Sequence, residues 1–176
     1  MKNIVLTGFM GTGKTTVGRL LAKRLGRPFI DTDQMIEERL GTKISEIFAK
    51  IGEIEFRKFE SQTIKLISNF NNYVISCGGG AVVDPINIKN LSQNGIIINL
   101  YASANNILNR IENFDSRPIL KKMANPFEGI VKLLAKRQKA YKKCDFAVDT
   151  DNLTSEQVVK KILENKILKD IFKWKF

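Results

Sequence analysis

Gly8-Phe9-Met10-Gly11-Thr12-Gly13-Lys14-Thr15 is the stretch that decides the fold. It satisfies G-x-x-x-x-G-K-[ST], a pattern whose glycines let successive backbone N–H groups converge on a phosphate. Lys14 adds a mobile positive charge for the β- and γ-phosphates, and the Thr15 hydroxyl is suited to Mg²⁺. The flanks agree with the motif. Ile4-Val5-Leu6 is a short β-type run before it, and Thr16 to Leu25 carries helical spacing after it. The N-terminus of that helix therefore directs its partial positive charge at a bound anion. Gly11, Thr12, Gly13, Lys14, Thr15 and Thr16 are accordingly the candidate nucleotide-binding residues.

Working outward, strands are expected near Asn3–Thr7, Pro28–Asp31, Tyr73–Cys77, Ile96–Tyr101 and Phe146–Asp149. Helices are expected near Lys14–Leu25, Asp33–Leu40, Ser45–Ile51, Glu53–Asn69, Pro85–Ser92, Ser103–Ile111, Pro126–Lys143 and Thr154–Asn165. Thr154-Ser155-Glu156-Gln157 has capping-box spacing at the start of the last helix. Strand–helix alternation of this kind argues for an α/β domain, a parallel sheet covered on both faces by helices. In such sheets ligands bind at the carboxyl ends of the strands, where the loop, Asp31 and Gly78-Gly79-Gly80 all fall.

No repeat or Pro/Ser-rich linker divides the 176 residues, so a single domain over 1–176 is expected. Residues about 113–126 break the rhythm and carry Asp115, Ser116, Arg117 and Pro118, as expected of a mobile lid. Residues 166–176 form a basic tail, read as the frayed end of a helix that packs on the core.

Composition narrows the chemistry further. The chain has no histidine, which excludes the commonest general base and the usual catalytic triads, and leaves Mg²⁺ with oxygen ligands as the plausible metal. Cys77 and Cys144 make no zinc pattern and are expected to be reduced. The formal net charge of +11 raises the question of a nucleic-acid partner, but the lysines are scattered and none is expected. No membrane partner is expected either, since no apolar run approaches the about 18 residues of a spanning helix. With the phosphate loop starting at residue 8, no cleavable leader is expected and a cytoplasmic location is the default.

A phosphate loop implies a nucleotide and leaves the reaction open. Asp31 and Asp33 flank Thr32 at the end of the second strand and could divide metal holding from orientation of an acceptor hydroxyl. Three glycines after the third strand would bring a small substrate against bare backbone. Arg137 and Tyr141 stand one helical turn apart beyond the presumed lid.

These pieces, with Phe56-Arg57 and Arg117-Pro118-Ile119-Leu120, stand in the order and spacing of shikimate kinases, and the likeness spans roughly residues 3 to 150. The resemblance implies a three-layer αβα P-loop kinase fold with a five-stranded parallel sheet in the order 2-3-1-4-5. It implies ATP-dependent phosphorylation of the 3-hydroxyl of shikimate on the route to chorismate and the aromatic amino acids. By resemblance, Arg57 and Arg137 hold the substrate carboxylate, and Gly78, Gly79 and Gly80 give it a backbone wall. Asp33 takes the hydroxyls and acts at the reacting one, Thr15 and Asp31 serve the metal, Arg117 reaches the phosphates from the lid, and Arg110 lies over adenine. Lys14, Asp33 and Arg117 are thus the expected catalytic set, with ATP and Mg²⁺ as cofactors, shikimate as the acceptor and a monomer as the working form. Two rivals remain open. A gluconate-type kinase shares the loop and sheet. A basic nucleotide- or nucleic-acid-binding module would need features such as a guanine-reading N-K-x-D, and Asn165-Lys166-Ile167 is followed instead by Leu168.

Overall fold

Five parallel strands form the centre of the molecule in the order β2-β3-β1-β4-β5. The computed structural model describes residues 1–111, 114, 118–121 and 123–172. β1 (Asn3–Thr7) lies between β3 (Val74–Ser76) and β4 (Gly95–Tyr101), with Val5 opposite Ile75 on one side and Ile97 on the other. β2 (Phe29–Asp31) and β5 (Phe146–Asp149) are the edges. The sheet order expected from the resemblance is the one observed.

Alternation along the strands sorts the core into two layers. Ile4, Leu6, Ile96, Ile98 and Leu100 pack against α1 (Lys14–Leu25) and α8 (Ser155–Glu164), through Val17, Leu21, Val158 and Ile162. Val5, Ile75 and Ile97 face the other way, onto Ile64 and Ile67 of α3 (Ile44–Ile67) and Leu91 of α4 (Pro85–Asn94). A sheet buried on both faces explains why its central strands read as continuous apolar runs.

Local chemistry sets the element ends that matter for the site. Asp31 caps α2 (Thr32–Leu40), accepting hydrogen bonds from the N–H of Asp33 and Gln34 at 3.0 and 3.4 Å. α3 is interrupted at Gly52, whose φ of 79° and ψ of 174° break the helix between the two expected helices. A Cβ at Gly52 would meet nothing within 4 Å, so glycine serves backbone geometry there and not space. The helix restarts with Glu53, Arg57 and Glu60 on one face. α7 (Pro126–Tyr141) is capped by Asn125, and the expected Thr154–Gln157 capping box opens α8.

Two segments differ from expectation. Within the stretch read as a lid loop, Pro118–Lys121 forms a helical turn, α6. Its Leu120 is 1% exposed and joins Phe9, Ile107 of α5 (Ala104–Arg110), Ile130 and Tyr141 in a third apolar cluster. The start of the expected tail is α9 (Lys166–Phe172), because Leu168 reaches the core cluster beneath α8 while the lysines stay outside. Among the described residues no helix is long and apolar enough to cross a membrane.

Candidate functional site

The loop between β1 and α1 is built by glycine at left-handed positions and by internal hydrogen bonds. Gly13 has φ 88° at the N-terminus of α1, which aims the free N–H groups of that helix into the loop. Phe9 offers its carbonyl to the Thr12 hydroxyl and to the Lys14 ammonium, each at 2.8 Å. Thr15 donates its hydroxyl to Asp31 Oδ2 at 2.7 Å, so the two oxygen donors expected for the metal stand side by side. A hydroxyl beside a carboxylate is a hard-oxygen pair suited to Mg²⁺, which keeps several waters and takes few protein ligands. Among the described residues no cluster of three His, Cys, Asp or Glu competes as a metal centre.

This loop floors a cavity of about 410 Å³ whose far side is formed by Arg110, Thr150 and Ser155. Arg110 is fixed there by the Thr150 side-chain and main-chain oxygens, at 2.9 and 2.6 Å. A second cavity of about 580 Å³ opens between the glycine turn after β3 and α3, on both sides of the Gly52 break. Its lining includes Gln34, Phe48, Phe56, Arg57, Glu60 and Arg137, together with Gly78, Gly79 and Gly80. Met10, Asp33 and Gly79 belong to both cavities, so the two open onto each other at a carboxylate and a bare peptide.

The second cavity is strongly charged. Arg57 Nη1 lies 2.7 Å from Glu60 Oε2, and its Nη2 lies 3.0 Å from Glu53 Oε1. Glu60 is 1% exposed, and its Oε1 has no hydrogen-bond partner among the described residues. Burial pushes the Glu60 carboxyl above the usual carboxylate range, although the Arg57 guanidinium pulls the other way. Arg137, 7% exposed, donates to the Gly79 carbonyl at 3.2 Å, and the Tyr141 hydroxyl donates to the same oxygen at 2.6 Å. Burial also raises the Tyr141 phenol above its ordinary range, so it stays protonated and a donor.

Two glycines of the turn make room for charged neighbours, and Gly79 makes room for the backbone of the phosphate loop at Met10. A Cβ on Gly78 would stand 2.5 Å from Asp33 Oδ1 and 2.8 Å from Glu60 Oε1. One on Gly80 would overlap the Arg57 guanidinium. The Gly78 N–H is tied to the Thr32 hydroxyl at 2.9 Å, which locks the turn to the start of α2.

The structure therefore brings together Gly11, Thr12, Gly13, Lys14, Thr15, Thr16, Asp31, Asp33, Arg57, Gly78, Gly79, Gly80, Arg110 and Arg137 around two joined cavities. Arg117 lies outside the described residues. Sequence reasoning missed Glu60 and gave Tyr141 no partner. The i,i+3 spacing of Arg57 and Glu60 was the available signal for the first. Cys77, to which no role was attached, is 1% exposed, and burial drives its thiol pKa upward, as suits an inert residue.

Known proteins resemble this chain in sequence and in fold. A family model described as shikimate kinase matches residues 10–166. A shikimate kinase of Thermodesulfovibrio yellowstonii is 50% identical over 93% of this chain and 94% of its own length. One from Caldicellulosiruptor bescii is 46% identical over 97% and 98%. Among solved structures, a shikimate kinase from Acinetobacter baumannii in complex with shikimate superposes with a TM-score of 0.90 at 35% identity, over 98% of this chain and 94% of that one.

Proposed function

The chain belongs to the shikimate kinase family, and from that premise we propose how its own residues divide the work of phosphorylating shikimate with ATP. The family activity is transfer of the γ-phosphoryl of ATP to a shikimate hydroxyl, an alcohol-accepting phosphotransferase in aromatic amino acid biosynthesis. The observation that carries the assignment of residues is the junction of the two cavities at Asp33 and Gly79.

In this reading the loop from Gly11 to Thr16 cradles the phosphates, and Lys14 neutralises charge on the β- and γ-groups. Arg110 borders the adenosine end. Thr15 and Asp31 hold Mg²⁺, which when bound supplies further positive charge to the phosphates. Arg57 and Arg137 hold the acceptor carboxylate; their planar forks match that anion better than an ammonium would. Glu53 and Glu60 keep Arg57 extended along the cavity wall. Gly78 to Gly80 let the cyclohexene ring lie against main chain, with Arg137 and Tyr141 fixing the Gly79 peptide. Asp33 accepts the hydrogen bond of the 3-hydroxyl and takes its proton as the phosphoryl moves, and Arg117 joins from the lid to spread the charge. Catalysis is then positioning plus electrostatic stabilisation. The same reading has the chain act as a cytoplasmic monomer on two small molecules, with no nucleic-acid or membrane partner.

ADP release from Mg-ATP tests this with shikimate, with gluconate and with no acceptor. Turnover is expected only with shikimate. A gluconate preference, or hydrolysis indifferent to acceptor, would overturn the assignment.

A further inference from the structure

Tyr141 carries an oxygen that its packing does not require. Its ring is buried among Phe9, Ile107, Leu120 and Ile130, where a phenylalanine ring would pack as well. Burying a hydroxyl is costly unless it is hydrogen-bonded, and here the bond is short, 2.6 Å to the Gly79 carbonyl. That carbonyl already has a donor, Arg137 Nη1 at 3.2 Å. The phenol is therefore not needed to rescue an orphaned carbonyl, and its effect falls on the donor it shares the oxygen with.

Arg137 stands one helical turn before Tyr141 on α7, and its positive charge opposes the rise that burial gives the Tyr141 phenol. Arg137 lines the acceptor cavity, whereas Tyr141 lines neither that cavity nor the nucleotide cavity. Tyr141 can thus reach a ligand only through a neighbour. The Arg137 guanidinium is drawn inward by two groups, the Gly79 oxygen and the buried Glu60 carboxyl, whose Oε1 has no hydrogen-bond partner among the described residues.

We propose that Tyr141 is a positioning residue for acceptor binding: by taking the stronger share of the Gly79 carbonyl, it holds Arg137 to one long bond there and leaves the rest of the guanidinium fork turned to the acceptor carboxylate. Without the hydroxyl the carbonyl has Arg137 alone, that bond shortens, and the fork turns away from the cavity. The inference deepens the reading of Arg137 as a carboxylate holder and rests on it.

Steady-state kinetics of the wild type and Tyr141→Phe test it, with shikimate and with methyl shikimate, which keeps the ring and hydroxyls but lacks the charge. The wild type should favour shikimate in kcat/KM by about 100-fold or more, as two charge-assisted contacts to a carboxylate imply. Tyr141→Phe should raise the shikimate KM about tenfold, the low end for one hydrogen bond to a charged group, with kcat within about threefold. For the ester, kcat/KM should change by no more than about twofold, since it offers Arg137 no charge. In an Arg137→Lys background, Tyr141→Phe should leave the shikimate KM within about twofold, because the fork it positions is gone. NMR of the ligand-free chain labelled with ¹⁵N-arginine supplies a readout independent of turnover. The Arg137 Nη protons, assigned by their absence in Arg137→Lys, should shift downfield in Tyr141→Phe as the bond to Gly79 shortens.

Equal losses with both acceptors, a loss in kcat at unchanged KM, or an unchanged shikimate KM would overturn the inference. So would the full effect persisting in the Arg137→Lys background, or an unmoved Arg137 signal. A wild type that treats shikimate and its ester alike would instead strike the reading of Arg137 as a carboxylate holder, and this inference with it.

Discussion

Replacing Arg57 by Ala separates binding from stability in a way the structure quantifies. Arg57 sits 2.7 Å from Glu60, whose side chain is 1% exposed, while its own side chain is 27% exposed. Removing one partner of a fully buried pair costs about 3–5 kcal/mol. Because Arg57 is partly solvated, screening reduces this to about 2 kcal/mol. For a chain of this length that lowers Tm by about 4–8 °C. The same substitution deletes a charge-assisted contact to the acceptor carboxylate, about 1.5–3 kcal/mol, so the shikimate KM should rise about 10- to 150-fold. The reacting hydroxyl is served by Asp33 and not by Arg57, so kcat should stay within about threefold. Adding Glu60→Gln to Arg57→Ala removes the orphaned charge. Thermal melts and steady-state kinetics on the wild type, both single variants and the double variant then form a cycle. The double variant should regain most of the lost Tm and none of the lost KM. A double variant as unstable as Arg57→Ala, or an unchanged KM in Arg57→Ala, would refute the reasoning.

Other consequences can be checked alongside it. Glu60 has a folded-state pKa raised by burial, so the folded chain binds more protons than the unfolded one above the usual carboxylate range. Its contribution to stability therefore falls as pH rises through that window, and urea titrations should show Glu60→Gln flattening the slope, whereas a steeper slope would contradict it. Gly80→Ala has an alanine-compatible backbone at φ −107°, but its Cβ overlaps the Arg57 guanidinium. It should raise the shikimate KM about tenfold through the displaced charge-assisted contact, and lower Tm by up to the about 4–8 °C of Arg57→Ala, since the same guanidinium pairs with Glu60. Thr15→Val keeps the shape and loses the hydroxyl that meets Asp31. It should raise the Mg²⁺ concentration for half-maximal rate by about tenfold or more, measured at fixed ATP.

What the sequence disclosed follows the reach of the forces involved. The phosphate loop was legible because its chemistry is local: Gly13, Lys14 and Thr15 need the backbone of their own neighbours. Gly52 was legible as a helix boundary for the same reason. The sheet order came from the family likeness, since strand pairing joins segments far apart in the chain. Glu60 looked like one more charge on a helix surface; only packing of α3 against the glycine turn buries it. Tyr141 meets Gly79 across 62 positions of sequence, which no local pattern encodes. Leu120 and Leu168 stand in apolar runs bounded by lysines and too short to show a helical period, and their helices form because each has a core cluster to enter.

The most direct test of the central claim is the fate of a labelled γ-phosphoryl group. Single-turnover reaction of γ-³²P-ATP and Mg²⁺ with shikimate, with the product resolved by chromatography and NMR, should place the label on the 3-hydroxyl oxygen in a one-to-one ratio with ADP. Label appearing as inorganic phosphate, or on another hydroxyl, would contradict an acceptor held by Arg57 and Arg137 and aimed by Asp33.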